Sequence, residues 1–276
     1  MRIFKTKFNI YLAFGFAGGC IGSLFAELVE IGRITHSFIV TILIVSCWSA
    51  VSSSLITLSL VWAGEKYNRQ PKFPINKIWP ALWSGAIAGA VGGGVAQAVY
   101  SLHLAHSQWT HFLFQSACWG IAGALIGWRI SRFIANMGKL KAFVGGFIGG
   151  FVGGSAFLIA SGFASEIFGR MLGIGILGAA LGLCIVAAEK FRRAASLDVL
   201  WAYNEMTTIT LGEMPVTIGG GDDHIYVHGL PEHAVSVVMK NGTISCKKAD
   251  TGQASVLKDG SKIQIGTIII KVNVSK

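Results

Sequence analysis

The chain has 276 residues, of which 53% are hydrophobic and only 13% are charged, against about 25% charged residues in an ordinary soluble domain. Residues 2–193 contain 16 Lys or Arg and 5 Asp or Glu, a net charge of +11, whereas residues 194–276 have a net charge of −1. This uneven division excludes a single soluble domain, a disordered chain and a nucleic-acid-binding protein whose positive charge forms one basic face.

Six apolar stretches in residues 1–193 are about long enough to cross a bilayer, which takes about 20 residues. They run from Asn9 to Val29, Ser37 to Ala63, Trp79 to Ser101, Phe112 to Trp128, Ala142 to Ser165 and Met171 to Ala188. No Asp, Glu, Lys or Arg occurs from Ile78 to Gly127, so this stretch contains two spans joined by the uncharged turn His103–His111. We therefore predict a multi-pass α-helical membrane domain over residues 1–193 with six transmembrane helices.

The positions of Lys and Arg predict the orientation of these spans, because cytoplasmic loops carry an excess of both residues. Fourteen of them lie at the N-terminus, in the second and fourth connections and directly after the last span. The other side has only Arg33 and Arg170. Both termini, and all of residues 194–276, are therefore predicted to be cytoplasmic. The run Ala17–Cys20 is similar to a lipoprotein signal but lacks the usual aliphatic residue, so we expect the first span to be retained.

Glycines recur at helical spacing in the apolar stretches, and one group repeats after sixty residues and another after fifty-five. The glycines concerned are Gly85, Gly89 and Gly93, with Gly145, Gly149 and Gly153, and Gly120, Gly123 and Gly127, with Gly175, Gly178 and Gly182. A more divergent copy comes first, in which Cys47-Trp48 resembles Cys118-Trp119. We predict three tandem helical hairpins with parallel topology, whose glycines allow close helix packing. The sequence leaves open whether the glycines instead line a pore.

Few residues in the membrane domain carry reactive or metal-binding chemistry. The candidates are Glu27, Glu30 and Glu166 near span ends and His103, His106 and His111 in one turn. Four of the five cysteines lie in apolar runs and none forms a C-x-x-C pair, which predicts buried thiols and no disulfide framework. We predict no metal and no cofactor.

From residue 197 onward the sequence pattern changes to short runs rich in β-branched residues, separated by turn signals such as Asn241-Gly242 and Asp259-Gly260. The runs are Asp198–Ala202, Thr207–Leu211, Val216–Ile218, Ile225–Val227, Val235–Met239, Thr243–Cys246, Lys262–Ile265 and Thr267–Val274. Short strands at this spacing predict a small all-β sandwich or barrel over residues 194–276.

Four elements of this segment carry a resemblance to a known family. They are Pro215–Gly219, Asp222–Ile225, His233-Ala234 and a closing run in which Leu257–Gly260 leads into Ile263–Gly266. In this order they resemble the forkhead-associated (FHA) domain, and the whole arrangement resembles membrane-anchored bacterial FHA proteins. The resemblance implies an FHA-like β-sandwich and a location in the bacterial inner membrane.

Two departures from the family pattern concern phosphothreonine recognition. The position of the phosphate-binding Arg is Gly220, and the position of the phosphate-binding Ser is Leu230. An Arg donates a bidentate pair of hydrogen bonds that glycine cannot supply. We interpret His233 as structural and Gly219–Gly221 as a connecting loop, and predict that the domain binds no phosphopeptide. We expect its loops to face away from the membrane.

No catalytic motif is present, so we predict a protein that is not an enzyme. The preferred function is an inner-membrane scaffold or adaptor that docks cytoplasmic proteins through the degenerate FHA-like domain without phosphorylation. The alternative is a small channel or transporter whose gating or assembly the cytoplasmic domain controls. The predicted partners are the lipid bilayer and a cytoplasmic protein, with homo-oligomerisation left open and nucleic acid excluded.

Overall fold

The computed structural model of the protein describes residues 2–30, 37–71, 74–102, 107–161, 166–191, 194–202, 205–250, 252 and 254–274. Helices form the first part and strands the second. The helices are α1 (Arg2–Glu30), α2 (Phe38–Tyr67), α3 (Ile75–Tyr100), α4 (Gln108–Ile130), α5 (Lys139–Ser161) and α6 (Glu166–Lys190). The strands are β1 (Ala195–Ala202), β2 (Glu205–Leu211), β3 (Val216–Gly219), β4 (Ile225–Tyr226), β5 (Val235–Lys240), β6 (Thr243–Lys248), β7 (Ala254–Leu257), β8 (Lys262–Ile265) and β9 (Ile268–Val274).

Within the described ranges, five of the six helices are long and apolar enough to cross a membrane, namely α1, α2, α3, α5 and α6. The prediction of spans is confirmed for these five. Helix α4 has 23 residues, or about 35 Å at 1.5 Å per residue. It is less apolar because Gln108, Thr110, His111, Gln115 and Ser116 occupy its first half. A sixth span at α4 therefore stays a prediction.

The six helices form a ring, which we call the bundle. Each helix packs against the next one in sequence, and α6 returns to α1. Helices α2, α4 and α6 also contact one another across the ring. The second helix of each predicted hairpin therefore lies toward the centre of the bundle.

The described residues of 194–274, which we call the β region, form two sheets around one core. The first sheet has the strand order β2-β1-β9-β8 and the second β4-β3-β5-β6-β7. Alternate residues of each strand face the core: in β1, Leu197 and Val199 are fully buried, and Asp198 between them is not. Buried Val216, Ile218 and Val237 of the second sheet belong to the same hydrophobic cluster. The prediction that this segment consists of short β-strands is confirmed, and β7 is a strand that the sequence analysis does not predict.

Candidate functional site

The loop that the FHA resemblance assigns to phosphate binding is closed by its own backbone. The Gly220 N–H donates to the Pro231 carbonyl at 3.1 Å, and the Val227 N–H donates to the Gly219 carbonyl at 2.8 Å. A Cβ atom on Gly220 would collide with the carbonyl oxygen of Leu230, and one on Gly219 would lie 2.5 Å from the Pro231 oxygen. Since real Cβ atoms do not approach so closely, these glycines are required for the packing of the 229–233 segment against the loop.

The side chain of Asp223 holds this loop to His233. Asp223 is 1% exposed, and it accepts the His233 backbone N–H at 3.0 Å while its Oδ1 lies 2.5 Å from the imidazole Nδ1. Burial opposes ionisation of Asp223, but these hydrogen bonds, with one from Thr217, outweigh it and lower its pKa. The hydrogen bond with Asp223, and then the charge of its carboxylate, raise the pKa of His233. His233 has a positive φ of 53°, so the pair stabilises an uncommon backbone conformation.

The β region contacts one end of the bundle, which we call the docking end. The connection between α4 and α5 contributes Asn136, whose side-chain amide donates to the carbonyls of Thr210 at 3.1 Å and Met214 at 3.0 Å. Its carbonyl oxygen accepts the Met214 N–H at 3.0 Å. One side chain of the bundle therefore makes three hydrogen bonds with the backbone of the β region.

A buried ion pair joins the first and last helices at the same place. Lys7 of α1 lies 2.6 Å from Glu189 of α6, and both residues are less than 10% exposed. The other carboxylate oxygen of Glu189 accepts a hydrogen bond of 3.3 Å from the Thr210 hydroxyl. The Lys7 ammonium lies 4.6 Å from the centre of the Tyr67 ring, and the Tyr67 hydroxyl accepts the Thr208 N–H at 2.9 Å. Strand β2 is thereby bonded to α2 and α6.

The turn before β4 also faces the bundle. Gln70 donates to the Asp223 carbonyl, and Asn76 donates to the Asp222 carboxylate at 3.3 Å. Arg69 forms an ion pair with Glu205. The expectation that the loops of the β region face away from the membrane domain is wrong for this turn, because polar residues of the α2–α3 connection bind it.

A polar chamber of about 200 Å³ lies between the docking end and the β region. The ion pair Lys77–Glu65, at 2.6 Å, lines it together with the Lys7–Glu189 pair. Its other walls include Tyr11, Tyr67, Asn68, Arg132, Ile209, Met214 and His224.

A second cavity, the inner cavity, has a volume of about 130 Å³ and lies within the bundle between α2, α3, α4 and α6. Its polar lining residues are Trp48, Ser49, Ser52, Ser53, Gln97, Tyr100 and Gln115. The indole N–H of Trp48 is enclosed and has no hydrogen-bond partner among the described residues. The indole rings of Trp48 and Trp119 meet edge to face, with their centres 6.5 Å apart.

The predicted packing glycines lie at helix–helix contacts, where an added Cβ would be closer than 3.1 Å to a neighbouring atom. Two examples are Gly149, whose Cβ would lie 2.9 Å from the Leu181 Cα, and Gly123, whose Cβ would lie 2.8 Å from the Gly150 Cα. The same holds for Gly85, Gly89 and Gly93, which meet α2, for Gly127, Gly145 and Gly153, and for Gly120, Gly175, Gly178 and Gly182.

The other candidate residues of the membrane domain are dispersed. Glu27 pairs with Arg170 at 3.1 Å, and the His111 ring lies edge to face with Tyr100. His103 and His106, and the side chains of Glu30 and Glu166, lie outside the described residues. Among the residues that are described, no three His, Cys, Asp or Glu side chains lie close enough to hold a metal ion.

The sequence analysis does not predict the residues that join the bundle to the β region. Asn136 carries no sequence signal other than its place in a connection, and Lys7, near the N-terminus, indicates only a cytoplasmic charge. Ser49 and Ser52 follow Cys47-Trp48 at the positions that Gly120 and Gly123 occupy after Cys118-Trp119. A hydroxyl at those positions of an apolar helix was the available signal for a polar cavity, since polar groups inside a bundle need partners.

Comparison with protein-family models, with curated proteins and with solved structures finds no match to this chain. Its function must therefore be inferred from the contacts, cavities and charges described above.

Proposed function

We propose that the protein is a non-enzymatic scaffold of the bacterial inner membrane that presents an FHA-like β-sandwich to a cytoplasmic protein partner. One observation carries the proposal: among the described residues, strand β2 and the turn before β4, each at one edge of a sheet, contact the bundle, and β8 and β7 are the edge strands on the opposite sides. In the first sheet β2 is held by Tyr67 and Glu189, and β8 is the far edge. Three strand spacings of about 4.8 Å separate β8 from β2 by about 14 Å.

The charges of the β region are divided in the same direction. Residues 194–239 contain six acidic residues and no Lys or Arg, and residues 240–276 contain seven lysines and two aspartates. Of the acidic residues, Glu205 and Asp222 bind the basic docking end. The lysines lie in residues 240–276, the range that also contains the edge strands β7 and β8.

The edge strands β7 and β8 therefore suit an acidic partner. Lys258 and Lys262 are exposed beside β7 and β8, and Lys271 is the cross-strand neighbour of Lys262. In β7, Val256 is 67% exposed. Lysines facing an acidic surface raise the association rate and select against basic partners.

Binding to this surface does not require phosphorylation. The position of the family's phosphate-binding Arg is closed by the Leu230 carbonyl, and the Gly220 N–H already donates to Pro231. An arginine at Gly220 would displace the 229–233 segment. The backbone of the loop, as well as its side chains, therefore supports binding without phosphate recognition.

The repeats and the topology complete the proposal. The central placement of α2, α4 and α6 supports three equivalent hairpins, and Trp48 and Trp119, which match in the repeat, both line the inner cavity. The basic residues at the docking end support a cytoplasmic β region. A reporter that is active only outside the cytoplasm, fused after Lys276, should give no signal, and a strong signal would contradict this topology.

Partner binding is tested with the full chain in nanodiscs and bacterial extract. The double variant Lys258→Glu/Lys262→Glu should lose the captured protein, and phosphatase treatment of the extract should leave capture unchanged. The control Lys240→Glu/Lys247→Glu makes the same charge change on exposed residues of β5 and β6 and should retain it. Equal loss in both variants, or dependence on phosphate, would contradict the proposed surface.

The transport alternative is favoured by one observation, the polar inner cavity within the bundle. Among the described residues, the linings of the cavity and the chamber share no residue. On α2, Leu60 separates Ile56 of the cavity from Gly64 of the chamber, and on α6, Leu181 lies between Leu177 and Glu189. Leu60 and Leu181 are buried to 1% exposure or less. Solute flux through vesicles containing the protein, absent from empty vesicles, would favour transport over the scaffold.

A further inference from the structure

The inner cavity has the properties of a ligand site in its own right, independently of partner docking. Among its described lining residues there is no Asp, Glu, Lys, Arg or His. A charged solute would lose its hydration inside the bundle and find no counter-charge there, which is costly. The cavity therefore selects uncharged molecules.

The lining of the inner cavity nevertheless includes polar groups that need hydrogen-bond partners. The Trp48 indole N–H is a donor that has no partner among the described residues, and an enclosed donor is destabilising until it meets an acceptor. Ser49 and Ser53, both less than 10% exposed, and Gln115 add hydroxyl and amide groups that can donate or accept. The opposite walls are apolar, with Ile126, Ile174 and Leu177.

The size of the cavity limits the ligand further. Its volume of about 130 Å³ is slightly below the ~150 Å³ of an engineered cavity that accommodates benzene. There is thus room for about four to six non-hydrogen atoms. The lining begins near the end of α3, at Gln97 and Tyr100, and the apolar residues around Leu60 close the other end.

We propose that the inner cavity binds one small uncharged molecule that carries both hydrogen-bond donors and acceptors, with an acceptor atom on the Trp48 indole N–H. A primary amide of about four non-hydrogen atoms fits both the volume and the lining. Such a small ligand cannot bind much tighter than tens of micromolar, and affinity in the millimolar range is expected.

The test uses Cys118, which lines the cavity, as a reporter in the otherwise unmodified full chain in nanodiscs. Neutral methyl methanethiosulfonate should modify Cys118, whereas its quaternary-ammonium and sulfonate analogues should not. Acetamide should slow this modification, and acetate, which has the same shape and a charge, should not. Mass spectrometry separates Cys118 from the exposed Cys47, whose modification should be unaffected by either compound.

Two variants locate the effect. Ala96→Phe places a ring in the cavity and should abolish modification of Cys118, and Val95→Phe, on the exposed face of the same helix, should leave it unchanged. Trp48→Phe should retain modification but need about tenfold more acetamide for protection, the factor expected for one lost hydrogen bond. Equal protection by acetate, equal modification by the charged reagents, or a reactive Cys118 that acetamide does not protect would each overturn the proposal. The last result would show that the cavity holds only water.

Discussion

Asn136 offers the sharpest test of how the β region is attached to the bundle. Its side chain makes three hydrogen bonds with Thr210 and Met214, and its backbone has a positive φ of 58°. Glycine tolerates this conformation and removes only the side-chain bonds, whereas alanine removes the bonds and adds backbone strain. Asn136→Gly therefore isolates the hydrogen bonds.

The expected cost is moderate. A hydrogen bond contributes about 0.5–1.5 kcal/mol net, so three contribute roughly 1.5–4.5 kcal/mol. Because Met214 is 54% exposed, water replaces part of its bonding and we expect the lower half of that range. The equilibrium for undocking should then shift by about ten- to a hundredfold in Asn136→Gly, and by more in Asn136→Ala.

Hydrogen exchange of the full chain in nanodiscs measures this shift. Exchange in residues 205–214 should accelerate by that factor, and exchange in residues 268–274, inside the β core, should not change. The control is Asn241→Gly, which replaces another asparagine with positive φ at the exposed turn between β5 and β6. Unchanged exchange at 205–214 in Asn136→Gly would refute the role of the Asn136 hydrogen bonds in docking. Equal acceleration at 268–274 would show that the β region unfolds instead of undocking.

Three further predictions concern stability. Lys7→Met should lower the stability of the detergent-solubilised protein by about 3–5 kcal/mol, since Glu189 is left buried and unpaired, and Lys7→Met/Glu189→Leu should recover most of the loss; equal melting of both variants would contradict this. Gly149→Leu should destabilise the bundle by about 1–3 kcal/mol through overpacking, and Gly149→Ala should destabilise it by less. If both variants melt at the same temperature as the wild-type protein, this glycine does not pack closely against a neighbouring helix. The lowered pKa of Asp223 gives stability that is lost on acidification, and the raised pKa of His233 gives stability that is lost as pH rises above about 6.5. Thermal unfolding should therefore show a higher midpoint at pH 5.5 than at pH 8.5, by an amount that falls in His233→Asn.

The elements were predictable where one physical signal dominates. Five spans follow from uninterrupted apolar runs, and β5 follows from the alternation in Val235–Met239, whose odd positions face the core. Strand β7 gave no such signal, because Ala254, Ser255 and Val256 are all exposed. Its place in the sheet comes from pairing with β6, a tertiary interaction that composition does not reveal.

The sites were less predictable because their residues are distant in sequence. Lys7 and Glu189 are 182 positions apart, and Asn136 and Thr210 are 74 positions apart. The FHA resemblance drew attention to the Gly219–Gly221 loop, and packing adds that a Cβ atom on Gly220 would collide with the Leu230 carbonyl oxygen. Pattern reasoning detects which side chains are missing, and three-dimensional packing shows whether they could be restored.

The basic residues at the docking end explain why the β region meets the bundle with its acidic half. A multi-pass protein needs Lys and Arg at the cytoplasmic ends of its spans to fix its topology, so a domain docked at the end that we propose to be cytoplasmic faces an array of donors. The β region supplies acceptors: the carboxylates of Glu205 and Asp222 and the backbone carbonyls of Thr210 and Met214. A lysine-bearing edge in the same position would be repelled at these short distances, where salt screens little. In the proposed topology, the residues that orient the helices thereby also select which edge of the β region docks, and they leave the lysine-bearing edges to the proposed partner.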